Sequence, residues 1–60
     1  MNTLALTDHL GNAVYINPNT VAYIRPNHED TTYIQFSGAK ENSIVVEQSI
    51  DEVLEAVGKL

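Results

Sequence analysis

Val14-Tyr15-Ile16-Asn17-Pro18-Asn19-Thr20-Val21-Ala22-Tyr23-Ile24-Arg25-Pro26 sets two short apolar segments on either side of an Asn-Pro turn. The dipeptide Tyr-Ile occurs in both, at Tyr15-Ile16 and Tyr23-Ile24, and again at Tyr33-Ile34. Aromatic and β-branched residues suit a pleated, half-buried surface, and successive side chains of a strand point to opposite faces. Three strands are therefore expected in which the isoleucines share one face and the tyrosines the other. The isoleucine face needs an apolar cover. The tyrosine face is stable half-wet, because each ring joins a large apolar body to a polar tip.

The rest of the chain supplies the flanking elements. Thr3 to Thr7 alternates and reads as a first strand, with Leu4 and Leu6 on one side. Asp8 to Asn12 reads as a turn in which Gly11 and Asn12 accept positive φ, so Ala13 to Ile16 is expected to return antiparallel to the first strand. In Asn17-Pro18-Asn19-Thr20 the proline supplies the fixed φ of a type I turn and the Asn17 side chain accepts a local bond. Val21 to Arg25 is a third strand closed by Pro26, and Asn27 to Asp30 a polar loop. Thr31 to Phe36 and Ser43 to Glu47 are the fourth and fifth strands, joined by a loop over Ser37 to Asn42.

Ser49-Ile50-Asp51-Glu52 has the form of a capping box, and Ile50, Val53, Leu54 and Val57 follow at i, i+3, i+4 and i+7 with Gly58 as a stop. A helix this short does not hold alone in water, so it must dock, and the isoleucine face is the place for it. The expected fold class is α+β: a small antiparallel β-sheet of four to five short strands followed by one C-terminal α-helix at about 49–58 packed on one face, with residues 1–60 forming one small domain.

Composition bounds the function. A chain of 60 residues buries only about 60 % of the surface its unfolded form exposes, so burial against a second copy would relieve a small core. There is no cysteine, hence neither a disulfide framework nor a thiolate metal site. Met1 to Thr7 lacks the basic segment and long apolar core of a signal peptide, and no apolar run approaches a membrane span. A cytoplasmic protein without membrane insertion is expected. The net charge is −5, with eight acidic residues against Arg25, Lys40 and Lys59. Nucleic-acid binders neutralise phosphates with clustered lysine and arginine, so this balance argues against nucleic acid as a partner.

No residue pattern points to catalysis, a cofactor or a metal. His28-Glu29-Asp30 groups suitable residue types, but one histidine and two adjacent carboxylates fall short of the convergent ligands a zinc site needs. His9 reads as a solvated turn residue, and the serines at 37, 43 and 49 have no histidine at a telling spacing. A non-enzymatic protein without cofactors is expected, with two candidate contact surfaces. One is the tyrosine face, Tyr15, Tyr23 and Tyr33 with Val45, buried against another copy or an unidentified protein. The other is an acidic face, Glu47, Asp51, Glu52 and Glu55, presented to a basic site on a nucleic-acid-handling protein. The second would suit a small acidic regulator or inhibitor encoded by a phage or mobile element. The solvated reading of the same helix face is that its early carboxylates complement the macrodipole and Glu55 pairs with Lys59.

Leu6-Thr7, Leu10-Gly11-Asn12, Asn17-Pro18 with Val21 and Ile24 behind it, Thr32 to Phe36 followed by Gly38, and Val45-Val46-Glu47-Gln48-Ser49 leading into Val53 together resemble the small flagellar FlbD and swarming-motility SwrD proteins. The likeness runs over nearly the whole chain in the same order. Two places depart from that pattern: Gly38 to Ser43 is longer than the basic turn of the family, and Asp8 stands where a neutral or basic residue is usual. The resemblance implies a bacterial, non-enzymatic motility accessory protein that acts by touching other proteins.

Overall fold

The computed structural model describes residues 3–38 and 42–60. In chain order these form β1 (Leu4–Thr7), β2 (Ala13–Ile16), a single 3-10 turn at Pro18–Thr20, β3 (Val21–Pro26), a second short turn at His28–Asp30, β4 (Thr32–Phe36), β5 (Ser43–Val46) and α1 (Ile50–Gly58). The α+β class and the C-terminal helix are as the sequence reads, and strand limits agree to within one residue. The expected loop from Ser37 to Asn42 lies partly outside the described residues.

Instead of one continuous ladder, the strands form two small antiparallel sheets, β1–β2 and β3–β4–β5. They are stitched at one point. An isolated bridge joins Asp8 to Val46, Glu47 donates its backbone N–H to the Thr7 carbonyl at 2.7 Å, and His9 donates to the Val45 carbonyl at 3.2 Å. The end of β1 thus runs antiparallel beside the end of β5, leaving β2 and β3 as the outermost strands.

Register explains the faces. In β1–β2, Leu4 lies opposite Ile16 and Leu6 opposite Val14, all turned inward, while Ala5 and Tyr15 pair on the outer side. In the larger sheet Ile24, Ile34 and Ile44 form one inward row, and Thr32 pairs with Val46 in the next. Val21 and Ile24 are three residues apart and cannot share a face of a regular strand. Ala22 has no partner between Val21↔Phe36 and Tyr23↔Gln35, and this bulge resets the alternation so that both side chains pack against the core.

The core consists of Leu4, Leu6, Ile16, Ile34, Val46 and Val53. Val53 belongs to α1, which carries the capping box expected from its sequence: Ser49 Oγ accepts from the Glu52 N–H at 3.2 Å and Glu52 Oε1 accepts from the Ser49 N–H at 2.9 Å. Gly58 is the last helical residue and not a left-handed stop; Lys59 caps the helix in the right-handed region. Among the described residues no helix is long and apolar enough to cross a membrane.

Two turns carry information the sequence only partly displays. In the Asp8–Asn12 turn Gly11 takes φ +87°, but Asn12 does not have positive φ. The turn is held instead by the Asp8 carboxylate, which accepts from the Leu10 and Asn12 N–H groups at 2.9 and 2.8 Å. These bonds, that from Asn12 foremost, hold the Asp8 carboxyl below its usual range against the opposing effect of desolvation. Between β3 and β4, Glu29 and Asp30 both have φ of 58°, the pattern of a primed hairpin turn, which strongly prefers Asn-Gly.

Two outcomes are expected. Replacing Glu29-Asp30 by Asn-Gly should raise stability by about 1 kcal/mol in urea unfolding, because the left-handed region costs an ordinary residue about 1–2 kcal/mol and Gly returns part of that gain through its freer unfolded state. For Asp8, a native pKa below the unfolded one means stability that is present at neutral pH and falls as pH drops below about 4. Asp8→Asn, whose amide oxygen still accepts both bonds, should therefore unfold with a flatter acid limb than the parent.

Candidate functional site

The outward face of the larger sheet gathers one of the expected surfaces. Arg25, Tyr33 and Val45 are register partners across β3, β4 and β5 and form one row, with Tyr23, Gln35 and Ser43 in the next. Tyr23 sits diagonal to Tyr33, their ring centroids 6.2 Å apart and tilted by 33°. The Arg25 guanidinium carbon lies 4.5 Å from the centre of the Tyr33 ring, within cation–π range. The Tyr33 hydroxyl donates to Gln35 Oε1 at 2.7 Å, and the Gln35 amide nitrogen donates to the Asn42 carbonyl at 3.1 Å. These bonds orient the ring and leave its face outward. Tyr23 remains 49 % exposed.

Tyr15 is placed elsewhere. It projects from β2 opposite Ala5, is 73 % exposed, and borders a different depression with Asn17, Thr20, Phe36 and Ser37. Tyr23, Tyr33 and Val45 therefore share a surface with Arg25, a residue the sequence reading did not include. The missing signal was register: Arg25 alternates with Ile24 on an edge strand, and only the pairing with Tyr33 brings it over the ring.

Of the acidic residues, Glu52 is committed to the capping box. Glu55 pairs with Lys59 at 3.6 Å, both side chains being about three-quarters exposed, so the pair contributes little to stability. Asp51 and Glu47 are exposed, the latter beside the point where the two sheets are stitched. Asp51, Glu52 and Glu55 lie on α1, with Glu47 on the approach to it.

A feature absent from the sequence reading lies between β3 and α1. Val21, Tyr23 and Ile24 form one wall of an apolar groove of about 250 Å³, and Val53, Leu54 and Val57 the other, with Leu4, Pro18 and Ile34 closing it. The apolar stripe of the helix was expected to dock as a whole. Only Val53 is fully buried; Ile50 and Ala56 are half-covered, and Leu54 and Val57 are 54 % and 41 % exposed. The buried arc is centred on Val53 between Ile50 and Ala56, and this rotation turns the Leu54 edge away from the sheet.

His9 and His28 border a third depression with Asn27, Glu29, Thr31 and Val45. Among the described residues no three histidine or carboxylate side chains converge on a point that would hold a metal ion.

The contrast within the helix stripe is measurable. Val53→Ala should cost about 2 kcal/mol or more in chemical unfolding, the loss of a buried branched side chain plus its cavity. Leu54→Ala should change stability by less than about 0.5 kcal/mol, as expected of a surface position.

Neither protein-family models, curated proteins nor solved structures gave a match to this chain.

Proposed function

We propose that this chain is a non-enzymatic interaction protein that self-associates through the face bearing Tyr23, Arg25, Tyr33 and Val45. The observation that carries the reading is the tilted Tyr23–Tyr33 ring contact with Arg25 over the second ring, standing on the solvent side of a sheet. Tyrosine and arginine are the residues enriched where interfaces concentrate their binding energy, and side chains already held against one another lose less conformational freedom on binding. A core of six buried hydrophobic side chains among the described residues leaves a domain of this size much to gain from further burial.

The resemblance to the FlbD and SwrD proteins gives this role a setting, an accessory of bacterial motility acting in the cytoplasm through protein contacts. A second reading is favoured by the exposed carboxylates of Asp51 and Glu55: an acidic regulator that docks on a basic protein. Its association would be fast and would weaken as salt is added.

Sedimentation velocity over a concentration series tests the self-association. The parent should form a discrete oligomer, and Tyr33→Ser and Tyr23→Ser should each weaken it about tenfold or more, the size of a 1.4 kcal/mol contact. Urea unfolding of the variants under dissociating conditions separates assembly from fold. A parent that sediments as a monomer throughout the series would overturn the reading.

A further inference from the structure

We propose that the groove between β3 and α1 is a docking site for an amphipathic helix of a partner protein that carries lysine or arginine beside its apolar anchors. The inference goes beyond self-association and rests only on the chain being an interaction protein.

The walls of the groove are apolar, and its helix side exposes Leu54 and Val57, three residues apart on one ridge of α1. A helix laid along that ridge meets it as helices ordinarily pack, with anchors at i, i+3 and i+4 entering the spaces between side chains. The charge on the rim selects the partner. Asp51 stands one turn before Leu54 and Glu55 follows it directly, so exposed carboxylates border the open edge of the stripe. Lys59 is within 4 Å of Glu55 but both are well exposed, and a partner cation can take its place at little cost. Arg25 is held on the opposite face of the sheet over Tyr33 and adds no positive charge here.

Two other occupants fit less well. A second copy brings the same net charge of −5 to an already acidic rim. An added strand would need the free edge of β3, and that edge is interrupted by the Ala22 bulge and ends at Pro26, which has no N–H to donate. Bulges and prolines are devices that block strand addition.

The probe is a fluorescein-labelled peptide of leucine and lysine in helical spacing, about 18 residues or five turns long, compared with a peptide of the same pattern in which glutamate replaces lysine. Fluorescence anisotropy should give a dissociation constant on the order of 10 µM for the lysine peptide, weakening with added salt, and no saturable binding for the glutamate peptide. Leu54→Asp is the decisive variant, because it adds a negative charge while removing an apolar wall. Docking in the groove predicts that it binds the lysine peptide at least about fivefold more weakly; a purely ionic association would be unchanged or tighter, and that result would overturn the proposal. Val57→Asp should behave in the same way, and Asp51→Asn with Glu55→Gln should weaken the lysine peptide alone. Equal binding of the glutamate peptide also overturns it, as does a parent oligomer that dissociates on Leu54→Asp, since a second copy would then occupy the groove. Loss of assembly in Tyr33→Ser, whose side chain does not line the groove, with peptide binding intact would leave this proposal standing by itself.

Discussion

Glu47 and Gln48 form the seam on which the two sheets depend. Glu47 donates its backbone N–H to the Thr7 carbonyl, and the Gln48 side chain reaches the same residue, its Oε1 accepting from the Thr7 N–H at 3.0 Å and its amide nitrogen lying 3.4 Å from Thr7 Oγ1. The Gln48 carbonyl meanwhile accepts from Thr32 Oγ1 at 2.7 Å. Thr32 is fully buried, opposite Val46, so its hydroxyl sits where an unpaired polar group would cost about 1–3 kcal/mol. One short segment thus ties β1, β4 and the entrance to α1 together. Among the described residues no buried side-chain nitrogen or oxygen lacks a partner. Apolar packing between the β1–β2 pair and the larger sheet has no preferred register of its own; these directional bonds give it one.

The seam also places the helix. Ser49 follows Gln48 directly, so its capping box starts from a backbone already fixed on the sheet. Helix formation is limited by nucleation, and a nine-residue helix has little length over which propagation compensates for it. Pinning the first turn and burying Val53 in the common core supplies what propensity cannot. The direction in which α1 leaves the seam then decides which side chains of its stripe are covered.

The parts legible in the sequence were those with a local signature. The repeated Tyr-Ile dipeptide assigns faces to three strands, with Ile16 and Ile34 buried and Tyr15 and Tyr23 exposed. The Asn17 turn appears with its side chain accepting from the Asn19 N–H at 3.0 Å, and the capping box is present in both directions. What escaped was long-range or lacked its usual residues. Gln48 and Thr7 are 41 positions apart, and nothing in either residue names the other. The primed turn at Glu29-Asp30 has neither of its preferred residues, and the split into two sheets follows from pairing alone. For the surfaces, Tyr23, Tyr33 and Val45 were legible through alternation, whereas Arg25 needed register and the groove needed the rotation of α1.

That rotation follows from size. The helix has nine residues, about 14 Å at 1.5 Å per residue, and the sheet beneath it is three strands wide, with β3 at its edge. Turning α1 to cover Leu54 and Val57 would lift Ala56 and then Val53 from the core, exchanging the better-buried pair for one at the rim of the sheet. A fourth strand beside β3 would cover both edges, but the Ala22 bulge and Pro26 prevent the chain from being extended there by simple pairing. The same bulge turns Val21 inward and so builds the opposite wall of the groove. One local irregularity therefore both interrupts the free edge and builds a wall of the groove, and restoring regular alternation at Ala22 would turn Val21 outward and leave Pro26 alone to guard the edge.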